Sequence, residues 1–64
     1  MSQKELLYVE DGINHERMVI SYLNDSIEKI EDKNLKNFLQ KEVKNHEKLE
    51  KNLLKVLEVS ANEW

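Results

Sequence analysis

Apolar residues recur every three or four positions along almost the whole chain, and the recurrence stops only near residues 31–34. In the first half the two steps alternate without a slip, through Leu6, Val9, Ile13, Glu16, Ile20, Leu23, Ile27 and Ile30. This alternation is typical of a helix whose apolar side packs against another helix. The chain has no proline and one glycine, so little in it would interrupt long helices. We therefore predict an all-α chain.

Local signals set the expected boundaries of two helices within a single domain, residues 1–64. Ser2 and Glu5 have the spacing of a capping box, which places a helix start near residue 3. The polar segment after Ile30 is expected to form a turn, with Asp32 or Asn34 available to cap the next helix. The sequence thus predicts a helix over 3–30, a turn over 31–33, a helix over 34–58 and a tail over 59–64.

The second helix carries a broken apolar stripe. Its apolar positions are Leu35, Leu39, Leu49, Leu53 and Val56, and the two positions missing from the middle are Glu42 and His46. Counting back from the turn places Ile20 opposite His46 and Glu16 beside Leu49. Glu16 and His46 should therefore lie within about one helical turn, roughly 5 Å, of each other.

The apolar surface is too broad for one pair of helices. A loop this short forces the two helices to be antiparallel neighbours. The first helix also has a second stripe, formed by Tyr8, His15, Val19 and Tyr22. Large exposed apolar patches are uncommon on monomers, and a twofold dimer is the simplest way to cover this one. We predict an antiparallel helical hairpin that forms a homodimeric four-helix bundle.

In such a bundle Glu16, Glu42 and His46 would form a polar band inside an aliphatic core. Burying a lone carboxylate costs several kcal/mol, so each must be protonated, paired, hydrogen-bonded or metal-bound. One interpretation is a hydrogen-bonded layer that fixes helix register. The other is a metal site with Glu16, Glu42 and His46 as ligands. Di-iron bundles use Glu-x-x-His on two of their helices, whereas Glu42 and His46 are four residues apart.

Composition argues against several other classes of protein. The net charge is −3 with both signs mixed along the chain, which argues against nucleic acid as a partner. No apolar run approaches the roughly 20 residues that span a bilayer, and the first residues lack the apolar region of a secretory signal. There is no cysteine, so disulfides and thiolate sites are excluded. The serines lack a base and an orienting group, and we expect no catalytic residues.

Several segments of the chain resemble small spore-coat-type proteins of spore-forming Firmicutes, related to the coat protein F family. The segments are Lys4–Asp11, His15–Glu16, Asp32–Phe38 and His46. The resemblance implies a ferritin-like helical hairpin and a coat-associated structural or interaction protein, located in the cytoplasm or the spore coat. Its implied partners are a second copy and other coat proteins. The alternative it implies is a ferritin-like protein that binds iron or manganese through Glu16, Glu42 and His46.

Overall fold

The protein is a hairpin of two long helices. The computed structural model describes residues 1–62, with side chains described through residue 60. Helix α1 spans Gln3–Lys29 and helix α2 spans Lys33–Asn62. The two helices pack against each other. They are antiparallel, since Met1 contacts Ser60 at one end and the chain turns between Lys29 and Lys33 at the other. The predicted all-α hairpin is confirmed.

A side-chain cap lies at the start of each helix, and α2 begins at Lys33, one residue earlier than predicted. The Ser2 hydroxyl accepts a hydrogen bond from the backbone N–H of Glu5 at 3.1 Å, and the Glu5 carboxylate accepts one from the N–H of Ser2 at 2.9 Å. The predicted capping box is therefore confirmed. At the second helix, Asp32 accepts a hydrogen bond from the N–H of Leu35 at 2.9 Å. These bonds satisfy backbone donors that lack partners inside the helices.

The Ser2 cap yields a prediction with a defined pH dependence. The bond from the Ser2 N–H lowers the pKa of Glu5, and the Ser2 hydroxyl and the chain's positive terminus lower it further. Because the folded pKa is depressed, this contribution to stability is present above the ordinary glutamate pKa of about 4.3 and is lost as pH falls through the folded value. Ser2→Ala removes only the hydroxyl cap, so it should lower the free energy of unfolding by about 1 kcal/mol and leave in place the backbone N–H that is the main cause of the lowered Glu5 pKa. Urea unfolding at fixed protein concentration measures this cost, with Ser21→Ala as the control.

Helix α1 packs along the predicted stripe. All eight of its recurring positions, from Leu6 to Ile30, are partly or fully buried. Ile13 is 4% exposed and is the only fully buried apolar side chain in residues 1–60. The predicted α1 stripe is therefore confirmed, but the core that it forms with α2 is thin.

Helix α2 is rotated relative to the predicted stripe. Leu39, His46 and Leu53 face α1 as expected, whereas Leu35, Leu49 and Val56 remain 46%, 47% and 42% exposed. The predicted stripe mixed residues from two adjoining faces of α2, one that packs on α1 and one that stays exposed. The face packed on α1 instead alternates by three and four through Lys36, Leu39, Val43, His46, Glu50, Leu53, Leu57 and Ser60, all partly or fully buried.

The end predicted for the second helix was wrong. Residues 59–62, expected to begin a tail, continue α2 to Asn62. No glycine or proline follows residue 58 to stop the helix, and the Ser60 hydroxyl lies 3.7 Å from the Met1 sulfur. The last two tail residues, including Trp64, lie outside the described part of the chain.

The hairpin is elongated and exposes much surface for its mass. Its Cα extents are 49 × 14 × 11 Å and its radius of gyration is 14.8 Å, against about 11 Å for a compact domain of this length. Its accessible surface is 5306 Å², whereas a folded monomer of 7.7 kDa exposes about 4300 Å². The excess is roughly 1000 Å². Within residues 1–62, neither helix offers an apolar window of the length and hydropathy needed to cross a bilayer.

Candidate functional site

A hydrogen-bonded pair of polar side chains lies at the middle of the hairpin. His46 of α2 contacts Glu16 of α1 through its Nδ1 and the Glu16 Oε2. Both belong to the faces by which the helices pack, and their side chains are only 26% and 13% exposed. The predicted proximity of Glu16 and His46 is confirmed. Glu16 lies directly against His46. The close approach of Gly12 to Leu53, one turn away along each helix, is consistent with the predicted register, in which Glu16 also lies beside Leu49. The turn lies one residue earlier at each end than predicted.

Glu42 approaches the other nitrogen of the same imidazole. Its Oε2 lies 3.9 Å from His46 Nε2, one turn away on α2, and its side chain is 37% exposed. In the tautomer that carries its proton on Nδ1, His46 donates to Glu16 and its Nε2 presents a lone pair. The three residues singled out by the sequence therefore do meet, with His46 between the two carboxylates.

This arrangement accounts for the buried polar atoms without a ligand. Glu16 has its hydrogen bond from His46, and no buried side-chain nitrogen or oxygen among the described residues lacks a partner. Within residues 1–62 of a single chain, no three histidine, aspartate or glutamate side chains are gathered closely enough to hold a metal ion. Two possible donors, His46 Nε2 and the Glu42 carboxylate, lie 3.9 Å apart and are partly exposed.

A second interhelical pair lies one turn from the first, and sequence reasoning missed it. Arg17 Nε donates to Glu50 Oε2 at 2.6 Å, although the Arg17 side chain is 57% exposed. The register of the two helices could have revealed this ion pair. Once the register is known, Glu50 lies on the side of α2 that faces α1. By holding Glu50 there, this pair favours the rotation that leaves Leu49 exposed.

Many of the exposed apolar residues belong to a second face on each helix, whereas Leu7, Met18 and Leu54 lie outside it. On both helices, this face precedes the packed positions by one residue, which is about 100° around the helix axis. On α1 it contains Tyr8, Gly12, His15, Val19 and Tyr22, and on α2 it contains Leu35, Phe38, Glu42, Asn45, Leu49, Asn52, Val56 and Val59. The most exposed of these are Tyr22 at 73%, Tyr8 at 63% and Phe38 at 58%.

These two faces lie on the same side of the hairpin. One side has two grooves, the first shared by Glu10, Arg17 and Leu54 and the second by Asn24, Gln40 and Glu47. Each of those residues comes directly after a packed position in the sequence. It therefore lies on the flank of its helix opposite to the apolar residues of the second face. The opposite flanks of two antiparallel helices must then share the other side. We call that side the apolar face. It carries Tyr8, Gly12, His15, Val19 and Tyr22 of α1, and the eight α2 residues from Leu35 to Val59 that directly precede packed positions.

No family model, curated protein or solved structure matches this chain at a significant level. The site is therefore interpreted from its own geometry. It consists of a polar pair inside the hairpin, a second glutamate near the other nitrogen of the histidine, and the apolar face, which Glu42, Asn45 and Asn52 interrupt on α2.

Proposed function

We propose that this protein is a structural and interaction protein that acts as a homodimer, with the apolar face of one copy packed on that of a second. The observation that carries the proposal is the excess surface. The chain exposes 5306 Å², roughly 1000 Å² more than a compact monomer of its mass. A standard interface buries about 800 Å² per partner, so one such contact would remove most of the excess.

The angle between the two faces supports the same assembly. Each helix has a packed face toward its hairpin partner and an apolar face about 100° away. A helix at the corner of a four-helix bundle meets its two neighbours at close to a right angle. The angle between the packed and the apolar residues is the same on both helices, and the apolar residues of both lie on one side of the hairpin. A second hairpin related by a twofold axis can therefore contact both helices at once.

Recovery of one tagged copy by another tests the dimer. Two wild-type copies with different tags, expressed together, should purify together through either tag. Leu49→Asp in both copies should abolish recovery, because a charge would be buried at the centre of the apolar face. Met18→Asp is the control, since Met18 is 64% exposed and lies on the outer side of α1. Equal recovery of both variants would overturn the proposed interface.

The resemblance to coat protein F proteins extends the proposal to a place of action. Two of the segments that carry the resemblance lie at the helix starts: Lys4–Asp11 in the first turns of α1, and Asp32–Phe38 in the capping residue and first turns of α2. We propose that the dimer associates with other coat proteins at the spore surface. A fluorescent fusion expressed in a sporulating bacterium should form a ring around the spore, and a fusion that stays diffuse would contradict the placement.

A metal-binding function is the second candidate, and the orientation of His46 favours it. A histidine that donates through Nδ1 to a carboxylate while its Nε2 stays available is the usual arrangement of a metal ligand. In this geometry His46 and Glu42 would bind the metal, and Glu16 would orient His46. A twofold axis near His46 would supply four donors, two from each copy, to an ion such as iron or manganese. The metal would add Lewis-acid or redox chemistry there.

Metal content and thermal stability test this candidate. Dimer purified without chelator should contain about one ion per two chains, and added iron or manganese should raise its Tm by mass action. Glu42→Gln should remove both effects, whereas Glu47→Gln, on the groove side of the same helix, should remove neither. Absence of bound metal together with an unchanged Tm would eliminate the metal-binding function and leave the structural one standing.

A further inference from the structure

The two helices carry opposite charge, although the chain as a whole is mildly acidic. Helix α1 has three basic and six acidic residues, whereas α2 has seven basic and four acidic ones, so their net charges are −3 and +3. The ion pairs among the side chains of residues 1–60 join Arg17 to Glu50 and His46 to Glu16 and Glu42, and no lysine takes part in them. The charge of each helix is therefore available to select which helix of a second copy it meets.

Two hairpins that face each other through the apolar face can be arranged in two ways. If the twofold axis runs along the helices, the turns lie at the same end and each α1 packs on α2 of the partner. If the axis crosses the helices, the turns lie at opposite ends and each helix packs on its own copy. Neighbouring helices are antiparallel in both bundles, so helix direction does not distinguish the two arrangements.

We infer that the two copies lie with their turns at the same end, so that α1 of each copy packs on α2 of the other. The inference rests on the proposed dimer and specifies its orientation. Both contacts between the copies then join a helix of charge −3 to a helix of charge +3. In the other arrangement, one contact joins two acidic helices and the other joins two basic helices. Opposite charges across an interface favour the correct orientation, and like charges oppose the wrong one.

Symmetry carries the register of one hairpin over to the contact between the copies. A twofold axis along the helices leaves every residue at its own height in the bundle. Within the hairpin, Glu16 is level with His46 and Met1 is level with Ser60, so a step forward along α1 corresponds to the same step backward along α2. Residues that are level within one chain are therefore also level across the contact.

The polar residues that interrupt the apolar face gain suitable partners in this register. Three pairs become level to within about 3 Å, each with one residue from either copy: Tyr8 with Asn52, His15 with Asn45, and Tyr22 with Phe38. Both asparagine amides thereby meet a side chain with which they can form a hydrogen bond, and the two aromatic rings meet each other. With the axis across the middle of the helices, His15 would face its own copy and Asn52 would face Phe38.

Two lysines beside the apolar face respond differently to the two arrangements. Lys41 and Lys48 are exposed, lie four and three residues from Asn45 of that face, and have no acidic residue three or four positions away. With the turns at the same end, both lysines lie beside the acidic α1 of the partner. With the turns at opposite ends, Lys41 of each copy is level with Lys48 of the other.

Distances between spin labels test the orientation. The chain has no cysteine, so one introduced cysteine places a single label on each copy. In the Asn34→Cys variant, whose label lies next to the turn, the two labels of the dimer should be about 20–30 Å apart, because a four-helix bundle is about two helix diameters across. Turns at opposite ends would separate the labels by about 40 Å or more, the length of the 27 residues of α1, and would overturn the inference.

A label at Met18→Cys, near the middle of α1, is the control for the dimer itself. Its two copies should lie within about 30 Å of each other in either orientation. A short distance at Met18 together with a long one at Asn34 would overturn the orientation and leave the dimer standing. Absence of any distance between copies at both sites would contradict the proposed dimer.

Removal of charge gives a second readout, whose sign depends on the orientation. Lys41→Gln with Lys48→Gln should raise the dissociation constant of the dimer about threefold or more at low salt, because attraction to the partner's α1 is lost. The matched control, Lys44→Gln with Lys51→Gln, removes the same charge from the groove side of α2 and should have a smaller effect. Sedimentation velocity measures both. Equal loss in the two variants, or an unchanged or lower dissociation constant for the first, would overturn the inference.

Discussion

Replacing both Tyr22 and Phe38 by aspartate should dissociate the proposed dimer and lower its stability. Burial of a large apolar side chain contributes about 1.5–3 kcal/mol, and this variant loses that contribution twice per copy. We expect the dissociation constant to rise at least about 100-fold, which corresponds to roughly 2.7 kcal/mol. Sedimentation velocity over a dilution series measures the shift, and circular dichroism reports the helix content of the products.

The matched control is Leu7→Asp with Met18→Asp. In the single hairpin the two pairs are similarly exposed, Tyr22 and Phe38 at 73% and 58%, and Leu7 and Met18 at 56% and 64%. A hairpin that functions alone should therefore tolerate both double variants equally. Only a partner on the apolar face makes the first pair more costly, because Leu7 and Met18 lie on the outer side of α1. Equal behaviour of the two variants would contradict the dimer.

The second large effect concerns the polar pair in the hairpin. Glu16→Leu alone should cost about 1–3 kcal/mol, because His46 Nδ1 loses its hydrogen-bond acceptor in a site that is mostly shielded from water. Adding His46→Leu should recover that loss and leave the protein as stable as the wild type or about 1 kcal/mol more stable, since apolar residues often replace buried polar pairs at no cost. Urea unfolding of both single variants and the double variant measures the coupling.

The exposed pair formed by Arg17 and Glu50 provides the control cycle. Its coupling should be only about 0.2–1 kcal/mol, because Arg17 is mostly in water. If the losses of unfolding free energy in the Glu16 and His46 single variants simply added in the double variant, the two side chains would act separately. That result would contradict their role as a hydrogen-bonded pair. Lower stability with lost metal binding would instead support the metal-binding function.

The fold could be predicted from sequence because its signals are local. An uninterrupted heptad stripe specified α1, and the spacing of Ser2 to Glu5 and the position of Asp32 specified the caps. Proximity of Glu16 to His46 followed from counting residues back from the turn. Each of these depends on neighbours along one helix or across a short loop.

The rotation of α2 could not be predicted in the same way. Its two adjoining faces have similar spacing, and periodicity alone does not decide which of them meets α1. Burial of Val43 and Leu57, which the predicted stripe left out, belongs to the observed rotation, and interhelical pairs such as Arg17 with Glu50 add to it; such contacts are evident only once the register is known.

Sedimentation equilibrium of the full chain over a wide range of concentrations tests the central claim most directly. The apolar face and the excess surface predict a single species with twice the chain mass of 7.7 kDa at micromolar concentration, losing helix content as it dissociates on dilution. A stably helical species with the mass of one chain, unchanged across the whole range, would contradict the account.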